Sequence, residues 1–257
     1  MRSLNKLTAL LISLVIILGC LASCDNTAGT EDPEDLQTDN YVATVQIKFA
    51  TDDNKMKAAV DAMSSSSVIN VSGENLSIHT VSDANETKLD NSYTLIDGIL
   101  YHSLVINVGE YTVAETKKAE FTAENKDKLI YDVGAGASIG VEDFYNVEAS
   151  KFGDAYTYVC SDAFDELKES LVDLVSSRFE SIGATVYIDN VDYQLESLNG
   201  RSSSSVLSCS YVIAMDGESY EITMRLYTSY DYDSEPQISL PENSDSFTLV
   251  SYEEIVG

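Results

Sequence analysis

Apolar and polar residues alternate through most of this chain with the two-residue period of strands that bury one face. From Tyr41 onward, Val45, Ile47 and Phe49 fall on one side of a predicted strand, and Gln46 and Lys48 on the other. The period then lengthens. Met56, Ala59, Val60 and Met63 recur at helical spacing, Thr51 or Asp52 is placed to cap that helix, and the serine run 64–67 reads as the turn that ends it. Short strands are predicted over 68–71, 76–81, 93–96, 100–108 and 111–121, with Asp97-Gly98 as a tight hairpin turn. On the fourth of these, Leu100, His102, Leu104, Ile106 and Val108 share a face.

Residues 122–140 carry a mixed pattern, with a short helix at 123–129. Strands follow at 144–147 and 155–159 around a turn at Gly153. The clearest helix spans 162–182. Phe164, Leu167, Leu171, Leu174 and Ile182 form its apolar stripe, Ser161 or Asp162 caps it, and Gly183 stands where a left-handed residue closes a helix. Alternation resumes at 185–189, 193–197, 206–214 and 220–229, with a second hairpin signal at Asp216-Gly217 and a last extended piece at 247–252. Many hairpins and few helices imply an α+β fold: a large antiparallel sheet packed on one face by one long and one or two short helices. The serine run at 202–205 reads, like the first, as a polar turn.

The first 23 residues stand apart. Arg2 and Lys6 precede an apolar run from Leu7 to Gly19, too short for the roughly 20 residues that span a bilayer as a helix. It ends in Leu21-Ala22-Ser23-Cys24, which resembles the lipobox of bacterial lipoprotein signal peptides. Cys20 is a poorer acceptor, because Leu18 is bulky beside the cut. The resemblance implies cleavage before Cys24, acylation of its thiol, and a protein lipid-anchored to the cell membrane on its extracytoplasmic side. Residues 25–40 are acidic and polar, a tether that cannot bury enough surface to order itself. The expected organisation is a signal peptide at 1–23, a tether at 24–40 and one domain at 41–257.

Charge narrows the partners. Fifteen basic against 43 acidic residues give a net charge of −28. Such a surface repels nucleic acid, which binds proteins through cationic contacts to phosphate, and repels anionic headgroups. Beyond Cys20 and Cys24, only Cys160 and Cys209 remain. Outside the cytoplasm they are either a disulfide or two separate buried thiols. Neither has a second Cys or a His at ligand spacing, so no metal site is read there.

No set of residues spells catalysis. Gly136-Ala137-Ser138-Ile139-Gly140 fits a hydrolase nucleophile elbow, yet both histidines, His79 and His102, precede it, and the acid and base of that motif must follow. Each histidine reads as a strand residue with a hydrogen-bonded partner. Asp231, Asp233 and Glu235 form an acidic turn lacking the spacing of a calcium loop. Tyr187, Tyr193, Tyr211, Tyr220 and Tyr227 lie on predicted strands, where aromatic residues are common.

Three segments carry a further resemblance. They are the hairpin from Tyr93 through Asp97-Gly98 to Tyr101, the stretch from Val141 to Val147 ahead of the long helix, and the closing run from Tyr230 to Pro241. Together with the lipobox they resemble the LolA/LppX-like group of bacterial lipoproteins and lipoprotein carriers, over about residues 41–250. The resemblance implies a curved half-barrel sheet whose concave side holds apolar ligands under helices, and no catalytic residue, metal or cofactor. The function expected is non-enzymatic binding or carriage of an apolar or amphiphilic molecule such as lipid. The candidate lining is Val45, Ile47, Phe49, Leu104 and Ile106, with Val212 and Met224 from later strands. The same residues could instead close a core without a cavity. The alternative function is a surface interaction or structural lipoprotein that recognises protein or glycan.

Overall fold

A computed structural model describes residues 40–84, 87–121, 129, 139–179, 183–215 and 217–256. The signal peptide, Cys24 and the tether lie outside the described residues, as do Ala123 and most of the short helix expected there. The fold is α+β, built on an open, curved half-barrel sheet of twelve strands.

One wing runs outward from the central strand β1 (Asn40–Ala50) through β2 (Ser65–Ser72), β3 (Asn75–Ala84), β4 (Thr87–Ile96), β5 (Ile99–Val108) and β6 (Tyr111–Glu120). The other wing holds β7 (Phe144–Phe152), β8 (Ala155–Ala163), β9 (Thr185–Leu198), β10 (Arg201–Met215) and β11 (Glu218–Asp231). It runs in reverse chain order, so that β11 meets β1 and β7 forms the far edge. Neighbours in both wings are antiparallel. The last strand, β12 (Thr248–Leu249), pairs in parallel with β6.

Turn chemistry sets these registers. Asp97 and Gly98 both have positive φ, 51° and 75°, the conformation of a two-residue hairpin turn that matches strand twist. A side chain at 98 would be doubly disfavoured, because its Cβ would lie 3.3 Å from the Phe121 carbonyl oxygen.

Among the described residues three α-helices accompany the sheet: α1 (Lys57–Asp61), α2 (Asp165–Phe179) and α3 (Glu253–Val256). Met56, Val60 and Met63 around α1, and Leu167, Leu171, Val175 and Phe179 of α2, enter one core with the inner face of the sheet. Burying each such large apolar side chain stabilises the fold by about 1.5–3 kcal/mol. Tyr211 of β10 ties α2 down, its buried hydroxyl donating to the Leu171 carbonyl at 3.3 Å.

Several local expectations change. The long helix begins at Asp165 rather than 162, because Ala163 is still paired with Phe144 and Asp162 has a φ of 60°. Asp162 therefore caps nothing and instead faces Lys168 at 3.8 Å. Phe164 stays outside the helix and packs edge-on against Tyr145. At the other end Gly183 does adopt a φ of 74°, and the Ala184 amide donates to the Phe179 carbonyl, the long bond of a Schellman closure. The Leu174 side chain and Ile182 lie outside the described residues. Both serine runs are strand, not turn: Ser65, Ser66 and Ser67 belong to β2, and Ser202 to Ser205 to β10.

The chain beyond β11 forms a strap across the outer face. The Gln237 amide donates to Asn70 Oδ1 at 3.0 Å, Ser77 donates to the Gln237 carbonyl, and Phe247 packs edge-on against Tyr101. The strap then caps the β6 edge as β12 and turns inward, where Tyr252 meets Phe121 and Ile255 joins the core. At the opposite edge no strand among the described residues lies beyond β7, and Phe152 is 91% exposed.

Candidate functional site

Residues opposite one another in an antiparallel ladder share a face, so the registers string the inner-face side chains into rows across the sheet. The row through Val71, Leu76, Leu95, Leu100 and Ala119 is wholly apolar and buried. The next row begins Ala43, Ile69 and Ile78, then turns polar at Tyr93, His102 and Lys117. The third reads Thr228, Val45, Ser67, Thr80 and Asn91 before Leu104 and Glu115. A polar belt thus crosses the middle of the inner face, where a sheet protein ordinarily places aliphatic side chains.

The belt is buried and mostly self-satisfied. Ser67 and Thr80, 3% and 2% exposed, share a hydroxyl–hydroxyl bond of 2.8 Å. Ser82 donates to the Ser64 carbonyl at 2.6 Å. His102 Nε2 lies 2.8 Å from Asn91 Oδ1; an amide oxygen only accepts, so Nε2 carries the proton. Asn91 Nδ2 reaches the Tyr93 hydroxyl at 3.5 Å, and the Tyr93 ring stacks on the imidazole at 4.5 Å. Among the described residues, His102 Nδ1 is the one buried side-chain nitrogen or oxygen with no hydrogen-bond partner. Burial pushes the His102 pKa down to about 4, against a smaller upward pull from Glu115, so the ring is neutral at pH 7.

Beyond the belt, toward the β4–β5 end, Leu89, Leu104 and Ile106 form a second apolar cluster separate from the main core, with Val108 beside it. In the same rows on β6, Val113 lies opposite Ile106 and Tyr111 opposite Val108. Val113 is 59% and Tyr111 75% exposed, so this apolar strip reaches the rim.

The seven expected lining residues divide. Val45, Ile47, Phe49 and Met224 lie on the inner face but are packed into the main core, closed by α1 and α2. Leu104 and Ile106 belong to the separate cluster. Val212 is a correction: it alternates with the buried Tyr211 and Ile213 and therefore faces outward, half-buried. Of the two alternatives for the cysteines, the structure has the separate buried thiols. Cys160 on β8 and Cys209 on β10 are free buried thiols with β9 between them, about 10 Å apart at ordinary strand spacing and beyond disulfide reach. Burial raises their pKa values to about 11 and about 12.

His79 sits on the outer face with Nε2 3.1 Å from Asp90, and His102 pairs with Asn91, so both histidines have the strand partners expected of them. The Asp231 carboxylate accepts from the Asp233 and Ser234 amides and the Ser234 hydroxyl, an ordinary acidic turn. Of the expected strand tyrosines, Tyr193, Tyr211 and Tyr220 are buried, and Tyr187 and Tyr227 exposed. The elbow-like Ser138 falls outside the described residues. Among the described residues no three His, Cys, Asp or Glu side chains converge as metal ligands, and no helix is long and apolar enough to cross a membrane.

Alternation alone did not find the belt, because it searches for apolar positions and the belt replaces them with Ser, Thr and Asn. Counting outward from Asp97-Gly98 would have set Asn91 opposite Leu104 and Tyr93 opposite His102. No protein-family model and no curated protein matches this chain.

Proposed function

We infer that this chain is a membrane-anchored extracytoplasmic lipoprotein of LolA/LppX-like type, held by acyl chains on Cys24, that binds or carries an apolar or amphiphilic molecule such as a lipid. The observation that carries this reading is the split of the inner face. An apolar cluster at Leu89, Leu104 and Ile106 lies apart from the main core and continues to exposed Val113 and Tyr111 at the rim. Apolar surface at a rim is retained at a cost in solubility, which a cargo offsets. The reading uses no catalytic group.

Two experiments test it. Native mass spectrometry and lipid extraction of the purified protein should return a bound apolar molecule, and an empty protein that stays empty on mixing with membrane lipids contradicts the carrier role. Cys24→Ser should release the chain from the membrane fraction; retention contradicts the anchor.

A second reading, recognition of another protein, is favoured by the β7 edge. Among the described residues no strand pairs with its outer side, and Tyr145 and Phe152 are exposed along it, the form to which an extended segment adds as a further strand. A cargo-free protein that captures such a segment would support it.

A further inference from the structure

The carrier reading leaves open what kind of head the cargo has, and the belt answers that. His102 is 4% exposed, its Nε2 proton is committed to Asn91, and the neutral ring leaves Nδ1 as a bare lone pair. An unsatisfied buried acceptor costs about 1–3 kcal/mol unless something donates to it. No neighbouring donor does so: the Ser67 and Thr80 hydroxyls bond to each other, the Asn91 amide is directed at Tyr93, and none of these groups makes a hydrogen bond to Nδ1.

The charged groups nearby are also committed. Lys117, opposite His102, is ion-paired with Glu115, opposite Leu104, and Lys117 donates besides to the Glu254 carbonyl. A carboxylate or phosphate head would meet, in Lys117, a cation already paired with Glu115, and a protein of net charge −28. An ester or ether oxygen offers no donor. A hydroxyl offers a donor without a charge.

Resting on the carrier reading, we propose that His102 Nδ1, with the belt beside it, is the head site for an uncharged amphiphile bearing a hydroxyl, whose chain lies along Leu89, Leu104 and Ile106 toward Val113 and Tyr111. The hydroxyl donates to Nδ1, and the apolar strip accepts the chain as far as the rim. The proposal distinguishes ligands with equal chains by the presence of a hydroxyl donor: a glycerol monoester fits and a methyl ester does not.

The test uses the purified full chain labelled with 15N-histidine. It contains two histidines, so His79, paired with Asp90 on the outer face, serves as the internal reference. The probes are 1-monoolein and methyl oleate. Monoolein should move the His102 Nδ1 resonance in the direction of an accepted hydrogen bond, leave His79 in place, and bind about tenfold more tightly than methyl oleate, equivalent to about 1.4 kcal/mol. His102→Leu should bring the two affinities together; the resonance of the unsubstituted chain is the independent readout should that variant fold poorly. If both probes bind equally with Nδ1 unmoved, the head site is overturned and the carrier reading survives. If neither probe binds, both are overturned.

Discussion

Lowering the pH from 8 to 5 should cost the fold about 2 kcal/mol through His102 alone. The ordinary imidazole pKa of 6.5 falls to about 4 in the folded chain because the ring is buried between β4, β5 and β6. The unfolded chain therefore takes up a proton as the pH passes 6.5, while the folded chain refuses it until about 4. Unfolding binds the extra proton, so this stability is complete above 6.5 and drains away toward 4. At pH 5 the unfolded imidazole is protonated about 30 to 1 and the folded one about 1 to 10, which gives the 2 kcal/mol. An opposing effect runs alongside, since protonation begins to relieve repulsion among 43 acidic side chains. The two separate by comparing the wild type with His102→Gln, whose amide can still donate to Asn91 and does not titrate. Urea unfolding at pH 8 and pH 5 is the assay. With a slope near 3 kcal/mol per molar, the wild-type midpoint should fall about 0.7 M further than that of the variant. Equal falls in the two proteins would refute the buried, neutral imidazole.

Other perturbations probe the same face. Thr80→Val strands the Ser67 hydroxyl and should cost about 1–3 kcal/mol, whereas adding Ser67→Ala to it should cost less than the sum of the two single changes; strict additivity in urea melts would mean the 2.8 Å bond is absent. Leu207→Ala, at a fully buried position where β9, β10 and β11 pack, should lose about 2–5 kcal/mol, and a loss below 1 kcal/mol by the same melts would place Leu207 outside the core. Iodoacetamide at pH 8 should label Cys160 and Cys209 only after urea unfolding, since burial holds both thiols protonated. A cross-linked Cys160–Cys209 peptide in a non-reducing digest would contradict the strand order.

What alternation could read, it read well. The strands around Val45, Leu100 and Tyr220 and the helix around Leu171 appear where their periods put them, because each buries one face against one core. What it missed is what depends on partners. Serine has little strand propensity, so Ser65 to Ser67 and Ser202 to Ser205 looked like turns; they are strand because the flanking ladders, β1 for the first run and β9 and β11 for the second, hold them. Val212 looked inward because it is apolar, yet Tyr211 and Ile213 have the better claim to the core. The helix start slipped because Ala163 pairs with Phe144, a contact invisible in one dimension. The orphaned Nδ1 of His102 is legible only once Asn91 stands beside it.

The seam between β1 and β11 also has a consequence for how the protein is made. Ala50 and Thr223 meet there across 173 residues of chain, so the central strand waits for its second neighbour until β11 has been synthesised. At about 5–20 residues per second the interval is about 10–35 s. Through it β2 is the neighbour β1 can have, and β6 lies open until β12 arrives later still. A stop codon between β6 and β7 therefore yields not a smaller domain but one wing with a raw central edge, a species for chaperones and proteases rather than a shortened protein.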